Sequence, residues 1–146
     1  MRDAVGLPDM ETVSVDTTVD DPPEVVAGRL HGYEPLMESA GFDEVHVDDD
    51  RIRVVNAVGL ATLELTVELV EADAELAYEQ VGGMFEEMVT RYELEPTDDT
   101  ATHVAATTEF QLGAALVGDL LDATVITRQR RTELEGQLKY LDGAEA

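Results

Sequence analysis

Tyr78 and Tyr92 are the residues whose type and spacing best suit the holding of a small molecule. By alternation each falls on the inward side of its strand, and the two strands are neighbours. A phenol offers a flat apolar ring and a hydroxyl that can orient a ligand oxygen. Asn56, Gln80, Thr90 and Thr108 could add polar contacts. The alternative is that all six are core residues whose polar atoms are satisfied internally. A second chemistry is proton transfer by a carboxylate. Glu64, Glu79, Glu86 and Glu87 fall on central strands. A carboxyl turned into an apolar cavity gains a raised pKa and can exchange protons near neutrality. Alternation sends Glu64 and Glu79 to the solvent side. Glu86 and Glu87 follow Gly82-Gly83, where a bulge can change register, and are the weak catalytic candidates.

Other chemistries find less support. His31, His46 and His103 form no H-x-x-x-H or H-E-x-x-H pair, so no metal site is expected. Ser14 and Ser39 are the only serines, and neither sits in a G-x-S-x-G elbow. The chain has no cysteine, which excludes disulfides, thiolate zinc sites and cysteine nucleophiles. No cofactor is implied. Arg128, Arg130 and Arg131 are the one local excess of positive charge. Their forks suit a carboxylate or phosphate. Equally, they answer the helix dipole and pair with acids at the sheet rim. Helical spacing places Arg128 and Arg131 on one face, with Arg131 nearer the apolar stripe.

The elements that must position these residues follow from periodicity. Residues 1–9 read as a loose leader, and 10–146 as a single domain. Glu11 to Val19 alternates as a half-buried strand. Asp20-Asp21-Pro22-Pro23-Glu24 starts a helix with an aspartate cap and proline in the first turn. That helix runs to about His31, and a second spans Tyr33 to Ala40 before Gly41. Strands follow around Val45 to Val47, over Arg51 to Asn56 and over Leu60 to Val70. Three more follow, from Leu76 to the Gly82-Gly83 break, over Phe85 to Glu95 and over Thr102 to Phe110. Pro96-Thr97-Asp98-Asp99 reads as a turn. Leu112 to Leu141 reads as a long helix, its stripe made of Leu116, Leu120, Thr124, Thr127, Arg131, Leu134, Leu138 and Leu141.

The predicted class is α+β: seven antiparallel strands in a curved sheet wrapped around a long C-terminal helix, with two short helices between the first two strands. Many inward residues are small, among them Ala61, Ala77, Ala106, Thr90, Thr108, Ala123 and Thr124. There is no tryptophan. A twisted sheet closed over by one helix with such short side chains leaves a cavity. Its expected lining is Asn56, Leu63, Leu65, Tyr78, Gln80, Met88, Thr90, Tyr92, Ala106 and Thr108 from the strands. Leu116, Leu120, Thr124, Thr127 and Arg131 are expected to complete it from the helix.

Charge speaks of the solvent. There are 33 acidic and 9 basic residues, giving a formal net charge of −24 on 146 residues, and Lys139 is the only lysine. Such a charge repels itself in dilute buffer, and salt screens it, the Debye length being about 3 Å at 1 M. The acids interleave with an ordinary apolar pattern instead of forming a tail. This fits a cytoplasmic protein of a salt-accumulating halophile. A chain so negative is a poor partner for nucleic acid. No run reaches the roughly 20 apolar residues of a membrane span, and MRDAVGLPD holds no signal-like apolar run.

Three stretches resemble the START-like or Bet v 1-like (SRPBCC) superfamily, the helix-grip fold. DDPPEVVAGRLHGYEPLMESAGFDEVHV (Asp20 to Val47) resembles its strand exit, first helix, tyrosine-proline second helix and next strand. GGMFEEMVTRYELEPTDDTATHVAATTEF (Gly82 to Phe110) is similar to its glycine–phenylalanine strand, the aromatic seven residues later and its Thr-x-Val strand. LLDATVITRQRRTELEGQLKYL (Leu120 to Leu141) is similar to its terminal helix. The nearest branch is the polyketide cyclase/dehydrase and coenzyme-Q-binding group, whose members often carry tryptophan where this chain has Tyr92. The resemblance spans about Thr12 to Leu141 and carries no universal catalytic set. It implies binding of a small hydrophobic molecule: a lipid, isoprenoid, quinone or polyketide-like compound. The alternatives are a cyclase or dehydratase-like enzyme using an inward carboxylate or tyrosine, and an interaction module with a collapsed cavity. Oligomeric state is left open, a dimer being one option.

Overall fold

A computed structural model describes residues 10–58, 61–83, 85–98, 100–112 and 123–142. The proposed leader, Leu116 and Leu120 lie outside the described residues. The chain order is β1 (Met10–Val19), α1 (Pro23–Leu30), α2 (Tyr33–Ser39), β2 (Glu44–Asp48), β3 (Arg51–Val58), β4 (Ala61–Leu69), β5 (Leu76–Gly83), β6 (Phe85–Asp98), β7 (Ala101–Leu112) and α3 (Ala123–Asp142). The seven strands form one antiparallel sheet in the order β1-β7-β6-β5-β4-β3-β2. At most six residues separate consecutive strands from β2 to β7, as antiparallel neighbours allow. The helical excursion α1–α2 carries the chain from one edge strand to the other.

One face of the sheet is the core wall. Val13, Val15, Ile52, Val54, Leu65, Val67, Tyr78, Met88, Tyr92, Val104, Ala106 and Phe110 are buried on it. Their period of two is the alternation of a half-buried strand. Helix α3 covers this wall and also packs on α2. Gly136 of α3 lies so near the Ser39 carbonyl that a Cβ there would overlap it. A glycine is therefore what lets the two helices approach.

Three local expectations need correction. The α1 start is not capped by an aspartate side chain. Pro22 supplies the N-cap, and its carbonyl accepts the Val25 and Val26 N–H groups. Asp21 pairs instead with Arg29 at 2.8 Å, near the helix end. Strand β6 does not end at Glu95: it runs to Asp98, with Pro96 opposite Thr102 and a register shift after it. Pro96 is tolerated at that irregular end, where a missing N–H breaks no regular ladder. Nor do Gly82 and Gly83 interrupt β5, which runs through Gly83. Gly83 has φ +148°, and a Cβ would press on Leu65 and the Glu64 carbonyl, so glycine is needed for the close approach of β4.

Candidate functional site

The centre of the molecule is polar. Tyr92 Oη donates to Gln137 Oε1 at 2.5 Å. Its proton is thereby committed, so Tyr78, whose Oη lies 2.8 Å from that of Tyr92, is the donor between the two phenols. Beside them, Arg130 of α3 donates through Nη2 to Thr108 Oγ1 at 2.8 Å and to Thr90 Oγ1 at 3.2 Å. Arg130 Nη1 donates to Glu133 Oε1 at 2.5 Å, and Gln129 donates to the other Glu133 oxygen at 3.2 Å. Both charged side chains are almost wholly buried, at 5% and 6% exposure. One N–H is left over: Arg130 Nε is buried with no partner.

Burial sets the electrostatics. It raises the Tyr78 pKa from its ordinary value, with Arg130 opposing. It raises that of Tyr92 further, because Tyr78 adds to the effect. For Arg130, burial works against the charged form, but Glu133 and the two phenols outweigh it, so the guanidinium holds its proton more tightly than usual. The site is thus a neutral phenol pair beside a fixed, internally compensated ion pair.

The tyrosines, Thr90 and Thr108 converge as their alternation predicts. Their hydroxyls are spent on one another and on α3, which is the internally satisfied arrangement. Met88 and Ala106 are buried nearby. Gln80 has another role: it accepts from Phe85 N and donates to Phe85 O, tying β5 to the start of β6. Neither weak catalytic candidate turns inward. Glu86 sits at the register shift between β6 and β7, yet both Glu86 and Glu87 point to solvent, because the extra residue lengthens the outward run. The arginine assignment is also corrected. Arg131 is exposed and reaches the Ser14 carbonyl at 3.4 Å, in a surface groove between β1 and α3. Thr127 is only half-buried, and the Thr124 side chain lies outside those described.

The buried stripe of α3 is Ile126, Arg130, Glu133, Leu134, Gln137, Leu138 and Leu141. Arg130, Glu133 and Gln137 escape a sequence reading because charge and polarity argue for the outer face of a helix. A signal is present all the same: Ile126, Arg130, Leu134 and Leu138 recur at four-residue steps, with Gln137 and Leu141 completing the face.

These long polar chains also change the cavity. Between β3, β4, β6 and α3 lies a void of about 20 Å³, lined by Phe42, Val54, Asn56, Leu63, Leu65, Phe85, Ile126, Gln129, Arg130 and Glu133. That is room for about one water. The larger cavity expected from short inward side chains is not open among the described residues. Arg130 reaches over Thr90 and Thr108, and Gln137 meets the Tyr92 hydroxyl, so long polar side chains of α3 occupy the sheet's inner face there. Of the expected lining, only Asn56, Leu63 and Leu65 border the void among the described residues. Among the described residues, no group of His, Asp and Glu could hold a metal ion, and no helix is long and apolar enough to cross a membrane.

No family model matches the chain, and no curated protein matches it in sequence. Solved structures do match in shape. A START superfamily protein from Mycobacterium smegmatis superposes with TM-score 0.70 at 12% identity, covering 91% of this chain and 95% of that one. A Thermus thermophilus protein gives 0.69 at 18%, covering 93% and 100%. The Zhui aromatase/cyclase from Streptomyces sp. R1128 gives 0.67 at 18%, covering 91% and 94%. At such identities the likeness speaks for the fold. The chain has the helix-grip fold, the shape it shares with that START superfamily protein and that aromatase/cyclase.

Proposed function

We propose that this protein binds a small, mostly hydrophobic molecule between the sheet and α3: a lipid, isoprenoid, quinone or polyketide-like compound. The observation that carries this reading is the apolar-walled void at that position. Phe42, Leu63 and Gln129 are the partly buried members of its lining. Outward movement of Phe42 and Leu63 would enlarge it and leave the Gln129–Glu133–Arg130 bonds in place. Each Å² of apolar surface then covered contributes about 25 cal/mol. The fold shared with a START superfamily protein and an aromatase/cyclase supports the same reading. The acidic surface suits a salt-rich cytoplasm.

A cyclase or dehydratase step through Glu86 or Glu87 has no support, since both face solvent. An interaction module has little: the exposed large apolar side chains among the described residues, Val25, Val47 and Val81, lie on three different elements. Native mass spectrometry of the protein taken from its source cells tests the proposal. A retained small molecule, released on unfolding, is the expected result. A bare polypeptide mass, with no apolar compound bound on later exposure to cell lipid extract, would overturn it.

A further inference from the structure

Arg130 Nε is a donor of a charged group, and it is buried without a hydrogen-bond partner among the described residues. The side chain is 5% exposed and lines the void of about 20 Å³, which has room for about one water. A void walled by apolar groups alone stays dry, whereas one offering about two to four polar partners holds water. Three further polar side chains line this one: Asn56, Gln129 and Glu133. Each carries an oxygen that accepts hydrogen bonds. Glu133 receives Arg130 on one oxygen and Gln129 on the other, and a carboxylate has about four acceptor sites, so it can take more. Asn56, 8% exposed, belongs to β3. The void therefore lies between an unserved donor on α3 and acceptors with spare capacity on α3 and β3. A cation there would meet the guanidinium, and an anion would meet the Glu133 carboxylate in a low-dielectric site. A water molecule accepts the N–H and donates its own hydrogens while adding no charge.

We infer that the void is the site of a single internal water that bridges α3 to β3. Its oxygen accepts from Arg130 Nε, and its hydrogens reach Glu133 and Asn56. Helix α3 packs chiefly on β1, α2 and β7, and the water gives it a polar tie to the far half of the sheet. The same water serves the one donor atom of the buried ion pair left without an acceptor. The inference concerns the void as it stands and is independent of the proposed ligand.

Two measurements on the full-length protein test it. In proton–nitrogen NMR, rotating-frame and laboratory-frame spectra separate a held water from simple proton exchange by the sign of the cross-peak to water. Arg130 Nε–H is expected to show a dipolar cross-peak to water, while Nε–H of the exposed Arg128 and Arg131 shows exchange alone. In crystals, one oxygen peak is expected about 2.7–3.2 Å from Arg130 Nε. Asn56→Leu is expected to lose the dipolar cross-peak. Its persistence in that variant overturns the bridge to β3, and the oxygen's distance to Asn56 in the wild-type crystal decides the same point should the variant not fold. Absence of the water from both measurements, or Nε bonded directly to a side chain, overturns the site. An anomalous peak in place of the oxygen, in crystals grown with bromide for chloride, overturns water as the occupant and assigns the void to an anion.

Discussion

Arg130 and Glu133 sit one turn apart on α3 and face the sheet together, joined in the core at 2.5 Å. Removing two ions from water costs several kcal/mol each, and their attraction offsets this only with good geometry and further hydrogen bonds to the remaining donors. Thr90 and Thr108 supply it for Nη2. Losing one partner therefore does more harm than losing both. Arg130→Met is expected to destabilise the protein by about 3–5 kcal/mol, and Arg130→Met with Glu133→Leu to recover most of that loss. Urea unfolding of the two variants checks this. A single variant costing under about 1 kcal/mol would contradict a desolvated pair.

Gly136 and Gly28 make opposite predictions from the same substitution. At Gly136 an added methyl meets the Ser39 backbone, whereas at Gly28 of α1 it meets nothing within 4 Å. Gly136→Ala is expected to cost about 1–3 kcal/mol by overpacking, despite the better helix propensity of alanine. Gly28→Ala is expected to stabilise by about 0.5–1 kcal/mol. Thermal melts of the two variants should move in opposite directions; a shared direction would show that α2 and α3 are not in close contact.

Alkaline pH should unfold the protein through its phenols. Tyr78 and Tyr92 keep their protons in the fold above the ordinary value of about 10, at which the unfolded chain releases them. Above that value the unfolded state binds fewer protons, so stability falls as pH rises. Their stabilising share is complete below about pH 10 and is lost as pH climbs toward their folded values. Tyrosinate absorbance from these two rings is expected to appear together with loss of circular dichroism. Ionisation of both without unfolding would contradict their burial.

Salt should stabilise. With a net charge of −24, folding brings like charges together. The melting temperature is expected to climb as KCl is raised from about 0.1 M to about 2 M, the steepest change falling while the Debye length shrinks from about 10 Å toward about 3 Å. A flat or falling curve would remove the halophilic reading of the surface.

Most of the sheet was legible in the linear chain. A strand shows its inner face as every second residue, and runs such as Leu63, Leu65, Val67 or Val104, Ala106, Thr108, Phe110 admit one assignment only. Turn residues between the strands then set antiparallel order. Helix α3 was harder to phase. Steps of three and four permit two adjacent stripes, and local chemistry prefers the one with fewer charges. Whether Arg130 is buried depends on Thr90 and Thr108, distant partners on β6 and β7 that no local pattern contains. Cavity size is equally non-local: it depends on how near Gly136 lets α3 approach α2, and on which side chains then fill the gap. Residue type and period thus determined the strands, their faces and the acidic exterior. Only the packed molecule decided that the middle is a polar centre, bonded throughout except at Arg130 Nε, beside a small void, because that outcome depends on distances between elements that the chain order leaves free.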